Sequence, residues 1–194
     1  MFENVLTLNN VSYGKKITYK TLISAAIIAL AVVLPQIFHL VLGQTGGIKF
    51  LPMYLPVLIG GCLMGAKWGA AIGMLSPLVS FIITSAISEP MPILQRLPFM
   101  MLELTVFAVV SGLFSKKISE NGLWTFPAVI LSQFAGRGIF IGAAAVFNSI
   151  VPFTPAIIWS QIQTGFIGLA IQAVTVPIII IIMKKLMIKD KNND

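Results

Sequence analysis

Six apolar stretches separated by short polar breaks fill most of this chain. A helix that crosses a bilayer needs roughly 20 mainly apolar residues, within about 17–25. On that measure the pattern predicts spans over residues 21–42, 52–66, 70–86, 97–114, 123–147 and 156–183, the second one short. The breaks differ in kind. Residues 43–49 read as a glycine-rich loop, Lys67, Trp68 and Gly69 as a tight turn, and 148–155 as a proline-containing turn. Residues 88–98 contain Pro90, Pro92 and Pro98. Proline lacks the backbone donor that a continuous helix requires, so this segment is expected to be a structured loop.

Composition turns that pattern into a protein class. The chain is 57% hydrophobic and only 10% charged, and its mean hydropathy is +0.96. Water-facing domains carry about 25% charged residues, so too few charges are present here to clothe a soluble globule. The expectation is one all-α, polytopic membrane domain over residues 21–183, flanked by polar segments 1–20 and 184–194. The basic first segment is read as the flank of a retained span rather than as part of a cleaved signal, because the apolar run continues through Pro35, Gln36 and His39 without a small-residue cleavage site.

Charge then orients the spans. With six crossings, Lys15, Lys16, Lys20, Lys67, Lys116, Lys117, Lys184, Lys185, Lys189 and Lys191 fall on one side, and only Lys49 and Arg96 on the other; Arg137 lies within the fifth span. Cytoplasmic loops collect Lys and Arg, which places both termini inside the cell membrane. The same grouping explains the net charge of +7 without nucleic acid, for which no basic stripe interleaved with aromatics is present.

Within the spans, small and polar residues carry the remaining information. Lipid offers no hydrophobic drive between helices, so close packing relies on small residues. Gly61/Gly65 and Gly69/Gly73 suit a tight hairpin, and Gly138/Gly142 a similar contact. Ala25 and Ala29 form a stripe on the first span, a pattern that on its own favours internal packing over docking to a partner. Ionisable groups at bilayer depth are costly and normally face protein or a water-filled cavity. Glu103 in the fourth span and Arg137 in the fifth therefore suit either a buried ion pair fixing two helices or a polar anchor for a ligand. Gln133, Arg137 and Asn148 share one face of the fifth span, and Gln161, Gly165, Gly168, Gln172 and Thr175 one face of the sixth. Arg96, Met100, Glu103 and Phe107 share a face of the fourth. Three such faces would line a small-molecule chamber, and they are too sparsely polar for a continuous pore. His39, near a span end, reads as an interface residue rather than a ligand contact. Trp68, Trp124 and Trp159 fit the membrane interface in the same way.

Chemistry-bearing motifs exclude other classes. The single Cys62 permits no internal disulfide and reads as a packing residue. No zinc-protease helix, phosphate-binding Walker loop or nucleophile elbow occurs. Neither a catalytic role nor a metal or cofactor is expected, and ATP hydrolysis, if it drives transport, belongs to another subunit.

Several runs resemble a known family. They are Leu51-Pro-Met-Tyr-Leu-Pro-Val-Leu-Ile-Gly-Gly61, Met64-Gly-Ala-Lys-Trp-Gly69 and Leu75-Ser-Pro77, with Pro98-Phe-Met-Met-Leu-Glu103 and Val110-Ser-Gly-Leu113 after the proline-rich loop. With the size, six spans and basic ends, they make the chain similar to the substrate-binding S component of an energy-coupling factor (ECF) vitamin transporter. The resemblance implies capture of a vitamin or precursor from outside. Delivery would follow through a membrane coupling subunit and two cytoplasmic ATPases. It also implies that Ala25 and Ala29 meet the coupling subunit, which turns the alanine stripe toward docking. The family's site lies in the outer half, where Glu103, Arg137, Asn148 and Gln161 fit, with Gln133 and Met100 on the same faces. The resemblance leaves riboflavin, pantothenate, folate, cobalamin and pyrimidine- or pyridoxine-like compounds open. The competing reading is a stand-alone secondary carrier or channel, which would need a coupling-ion site and usually repeated halves. A third is a membrane assembly factor that binds no ligand.

Overall fold

The computed structural model describes residues 12–88, 90–147 and 155–191, which form helices and no strand. In chain order these are α1 (Tyr13–Phe50), α2 (Tyr54–Met64), α3 (Ala66–Ala86), α4 (Leu97–Leu113), α5 (Ser115–Glu120), a 3-10 turn (Gly122–Trp124), α6 (Thr125–Val146) and α7 (Pro155–Lys191). Among the described residues four segments are long and apolar enough to cross a membrane: Gly14–Gly43, Ala66–Ala86, Gly122–Val146 and Gln163–Leu186. The other two apolar helices, α2 and α4, are shorter.

The short α2 has a structural explanation. Its 11 residues rise about 16 Å at 1.5 Å each, roughly half a bilayer's hydrocarbon thickness. All but Leu55 are buried, and the helix packs against α1, α3, α4 and α7. A helix that is apolar on every side belongs inside the protein. Surrounded in this way, its ends need not reach the membrane surface, because protein satisfies the backbone there. Val57, Leu58 and Cys62 of α2, Leu104, Phe107 and Ala108 of α4, Val129 of α6 and Val176 and Ile180 of α7 make the fully buried centre.

The glycines act mainly between α4 and the α2–α3 hairpin. A methyl group at Gly73 would stand 2.5 Å from the Leu104 carbonyl oxygen, and one at Gly69 would stand 2.8 Å from that of Ala108. Gly61 and Gly69 also approach each other, since the same added carbon at Gly69 would lie 3.1 Å from the Gly61 Cα. By contrast, Gly138 and Gly142 face open space within the chain, so the contact expected from their spacing is not made among the described residues.

Element boundaries differ from the sequence pattern in several places. The hairpin turns at Gly65 rather than at Lys67–Gly69, because Gly65 adopts φ 85°, ψ 173°, a region closed to residues with a Cβ. Residues 44–50 continue as helix beyond a break at Gly43 (φ 68°, ψ −175°) instead of forming a loop. The basic pair Lys116–Lys117 lies on a separate short helix, α5, and α7 continues through much of the polar tail.

The lysine-rich end is built from its own contacts. Lys184 Nζ donates to the Glu120 carbonyl at 2.8 Å and to that of Ile118 at 3.4 Å, joining α7 to α5. Lys117 Nζ lies 4.5 Å above the Trp124 ring. At the opposite end, α1 stops at a corner where Leu51 has φ 48°, an uncommon conformation for a residue with a side chain. Gln172 of α7 holds that corner: its Nε2 donates to the carbonyls of Phe50 at 3.1 Å and Leu51 at 3.0 Å. Gly168 makes room for it, since an added methyl would stand 2.6 Å from the Lys49 carbonyl oxygen.

Candidate functional site

The loop after α3 is also pinned. The Met91 N–H donates to Thr84 Oγ1 at 2.8 Å, while Ser80 Oγ donates to the Met91 carbonyl at 2.9 Å. Between this loop and the Leu51 corner lies a cavity of about 320 Å³, at the end remote from the lysine cluster. Its walls are Pro35, His39 and Gly47 of α1, the Leu51–Tyr54 segment, Ser80 of α3, Pro90–Ile93 and Arg96 of the loop, and Met100 of α4. The volume sits at the small end of the roughly 300–1,000 Å³ range of ligand sites, and an apolar lining with few polar groups is the usual character of such sites.

Tyr54 closes the inner side. Its hydroxyl donates to Glu103 Oε2 at 2.6 Å, and Arg137 Nη1 lies 3.0 Å from Glu103 Oε1. The Arg137 guanidinium stands 5.7 Å from the Tyr54 ring centre, and Phe107 meets that ring edge-on at 5.2 Å. The Glu103 side chain is 1% exposed and that of Arg137 10%. An ion pair this deep compensates two charges in a low dielectric, and removing either partner strands the other. Arg137 Nε and Nη2 remain buried without a partner among the described residues.

The residues singled out from the sequence divide accordingly. Met100 lines the cavity. Glu103 and Arg137 lie behind Tyr54 and touch each other, which is one of the two arrangements their depth suggested. Gln133 donates through Nε2 to the Leu169 carbonyl at 3.0 Å, linking α6 to α7. Asn148 and the side chain of Gln161 lie outside the described residues. Ala25 and Ala29 are exposed on α1.

Of the three faces expected to surround a chamber, only that of α4 contributes a lining side chain among the described residues. The polar face of α7 instead serves helix contact. Gly165 abuts Arg137, since an added methyl would stand 3.0 Å from Nη2, and Gln172 braces the Leu51 corner. Sequence reasoning missed Tyr54, and it read His39 as an interface residue. Tyr54 had a signal, since a phenol inside an apolar run must find a partner when buried. His39 had less, because its role depends on the return of the chain at Gly47 and on the distant 90–96 loop.

An all-helical membrane protein with an end-on cavity closed by two pinned connecting segments is the class that fold and site define. Residues 20–180 match the family described as ECF transporter, substrate-specific component. The chain belongs to that family, whose members serve transport by binding substrate rather than by catalysis. No curated protein and no solved structure matched the chain.

Proposed function

We propose that this chain is the subunit that captures a vitamin or vitamin precursor for an ECF-type importer of the cell membrane, holding it in the cavity between the Leu51 corner and the 90–96 loop. The observation that carries this reading is the position of the cavity at the end opposite the lysine cluster. With six crossings, the ten-to-two division of cations supports cytoplasmic termini, and the cavity then opens outward. Met100 contacts the ligand, while Glu103 and Arg137 fix Tyr54 as the floor. Gln133 supports the α6–α7 wall, and the family resemblance assigns Asn148 and Gln161 to ligand contact as well.

Handover requires partners: a membrane coupling subunit and two cytoplasmic ATPases. Of the apolar span of α1, only 17% is buried within the chain, against 33–39% for the other three long spans. The exposed Ala25 and Ala29 lie on that span, and small residues suit close helix approach. Mass spectrometry of the purified protein tests the capture step, since a retained small molecule is expected. Uptake that persists without the ATPase partners would instead favour a stand-alone carrier.

A further inference from the structure

The geometry points to Arg96 as the residue that selects the ligand's charge, and to a small organic anion, a carboxylate- or phosphate-bearing ring compound, as the ligand. This rests on the reading that the cavity holds the substrate.

Two guanidinium groups lie near the cavity, and they are not equivalent. Arg137 is paired with Glu103 at 3.0 Å, and that carboxylate also accepts from Tyr54 at 2.6 Å. Arg96 lines the cavity itself. Its Nε is buried without a partner, and no carboxylate among the described residues pairs with it or lines the cavity. Among those residues, one acid set against two guanidinium groups leaves a net positive charge, located at Arg96.

One further lining residue has an unmet polar atom: His39 Nδ1 is buried and unpartnered. A buried polar atom without a partner is costly, and a polar ligand group would relieve that cost. Two helix N-termini add to the positive polarity, while at the α1 C-terminus the Phe50 and Leu51 carbonyls are engaged by Gln172. α2 begins at Tyr54 and α4 is capped by Arg96, both cavity residues. Helix N-termini carry partial positive charge, and neither helix has an acidic residue in its first turn to offset it. A cationic ligand would meet no counter-charge among the described lining residues. The volume of about 320 Å³ suits one compact ring system more than a large conjugated cofactor.

Matched ring compounds that differ in one acid group test this: nicotinate with nicotinamide, biotin with its amide, and pyridoxal phosphate with pyridoxal. Calorimetry on detergent-purified protein would compare them with the molecule that the protein retains on purification. The retained molecule should carry a carboxylate or phosphate, and an acid should bind at least about 30-fold more tightly than its uncharged mate. Arg96→Gln should remove that preference with little change in melting temperature, and Arg96→Lys should restore part of it. A neutral or cationic retained ligand, or an acid preference that survives Arg96→Gln, overturns the inference. A protein that retains nothing and binds no member of any pair defeats the capture reading itself, and the inference with it.

Discussion

Changing Glu103 to Gln keeps the shape of the side chain and an acceptor for the Tyr54 hydroxyl, but it removes the charge that faces Arg137. With Glu103 at 1% and Arg137 at 10% exposure, the pair belongs to the buried regime. Exposed pairs contribute about 0–1 kcal/mol. Removing one member of a buried pair typically costs about 3–5 kcal/mol, because the remaining charge has no compensation. At about 2–4 °C per kcal/mol for a chain of this size, a loss of about 3 kcal/mol lowers the melting temperature by roughly 6–12 °C. The second half of the cycle separates pairing from packing. Arg137→Met on the Glu103→Gln background removes the stranded charge while keeping volume, so the double variant should be more stable than Glu103→Gln alone. Tyr54→Phe, which loses a 2.6 Å bond to a carboxylate, should cost about 1.5–3 kcal/mol. Thermal unfolding in one detergent, followed by tryptophan fluorescence, reads all five proteins: wild type, Glu103→Gln, Arg137→Met, the double variant and Tyr54→Phe. Glu103→Gln within about 1 kcal/mol of wild type, or single losses that simply add in the double variant, would refute the buried-pair reasoning.

Three further outcomes follow from the geometry. Gly73→Ala should destabilise the α3–α4 contact by several degrees, since its methyl meets backbone at 2.5 Å, whereas Gly138→Ala, with open space around it, should be neutral or slightly stabilising. Thr84→Val, which deprives the Met91 N–H of its acceptor, should weaken ligand binding about tenfold with a smaller effect on melting, because about 1.4 kcal/mol of loop ordering is lost. Ala25→Trp and Ala29→Trp should abolish uptake and leave equilibrium ligand binding intact; normal assembly with the coupling subunit in those variants would remove the α1 face from the docking surface.

What could be read from the sequence follows from how local each signal is. Apolar run lengths located the helices within a few residues at most ends, except that the first helix extends eight residues beyond its apolar run at each end and the last extends eight beyond its second end. The depth of Glu103 and Arg137 required a partner for each. The turn at Gly65 was missed because Gly61, Gly65, Gly69 and Gly73 recur at one spacing, and only backbone torsion distinguishes the one that breaks the helix. The cavity was less legible. Its wall at Leu51 is held by Gln172, 121 residues away, and its other wall by Ser80 and Thr84 through the Met91 backbone. Helical periodicity reports which residues share a face, not which connecting segment that face will support. It therefore assigned the polar face of α7 to a chamber, where the structure uses it to hold the corner of α1.

Ligand stoichiometry and affinity in nanodiscs, measured for wild type and for Met100→Trp, decide whether the end cavity is the capture site. Met100 lines the cavity and is only partly buried, so a larger ring there fills ligand space without entering the packed centre. One retained small molecule per wild-type chain is expected, and its loss in Met100→Trp at an unchanged melting temperature. Undiminished binding in Met100→Trp, or a wild-type protein that binds no small molecule, would contradict capture at this cavity.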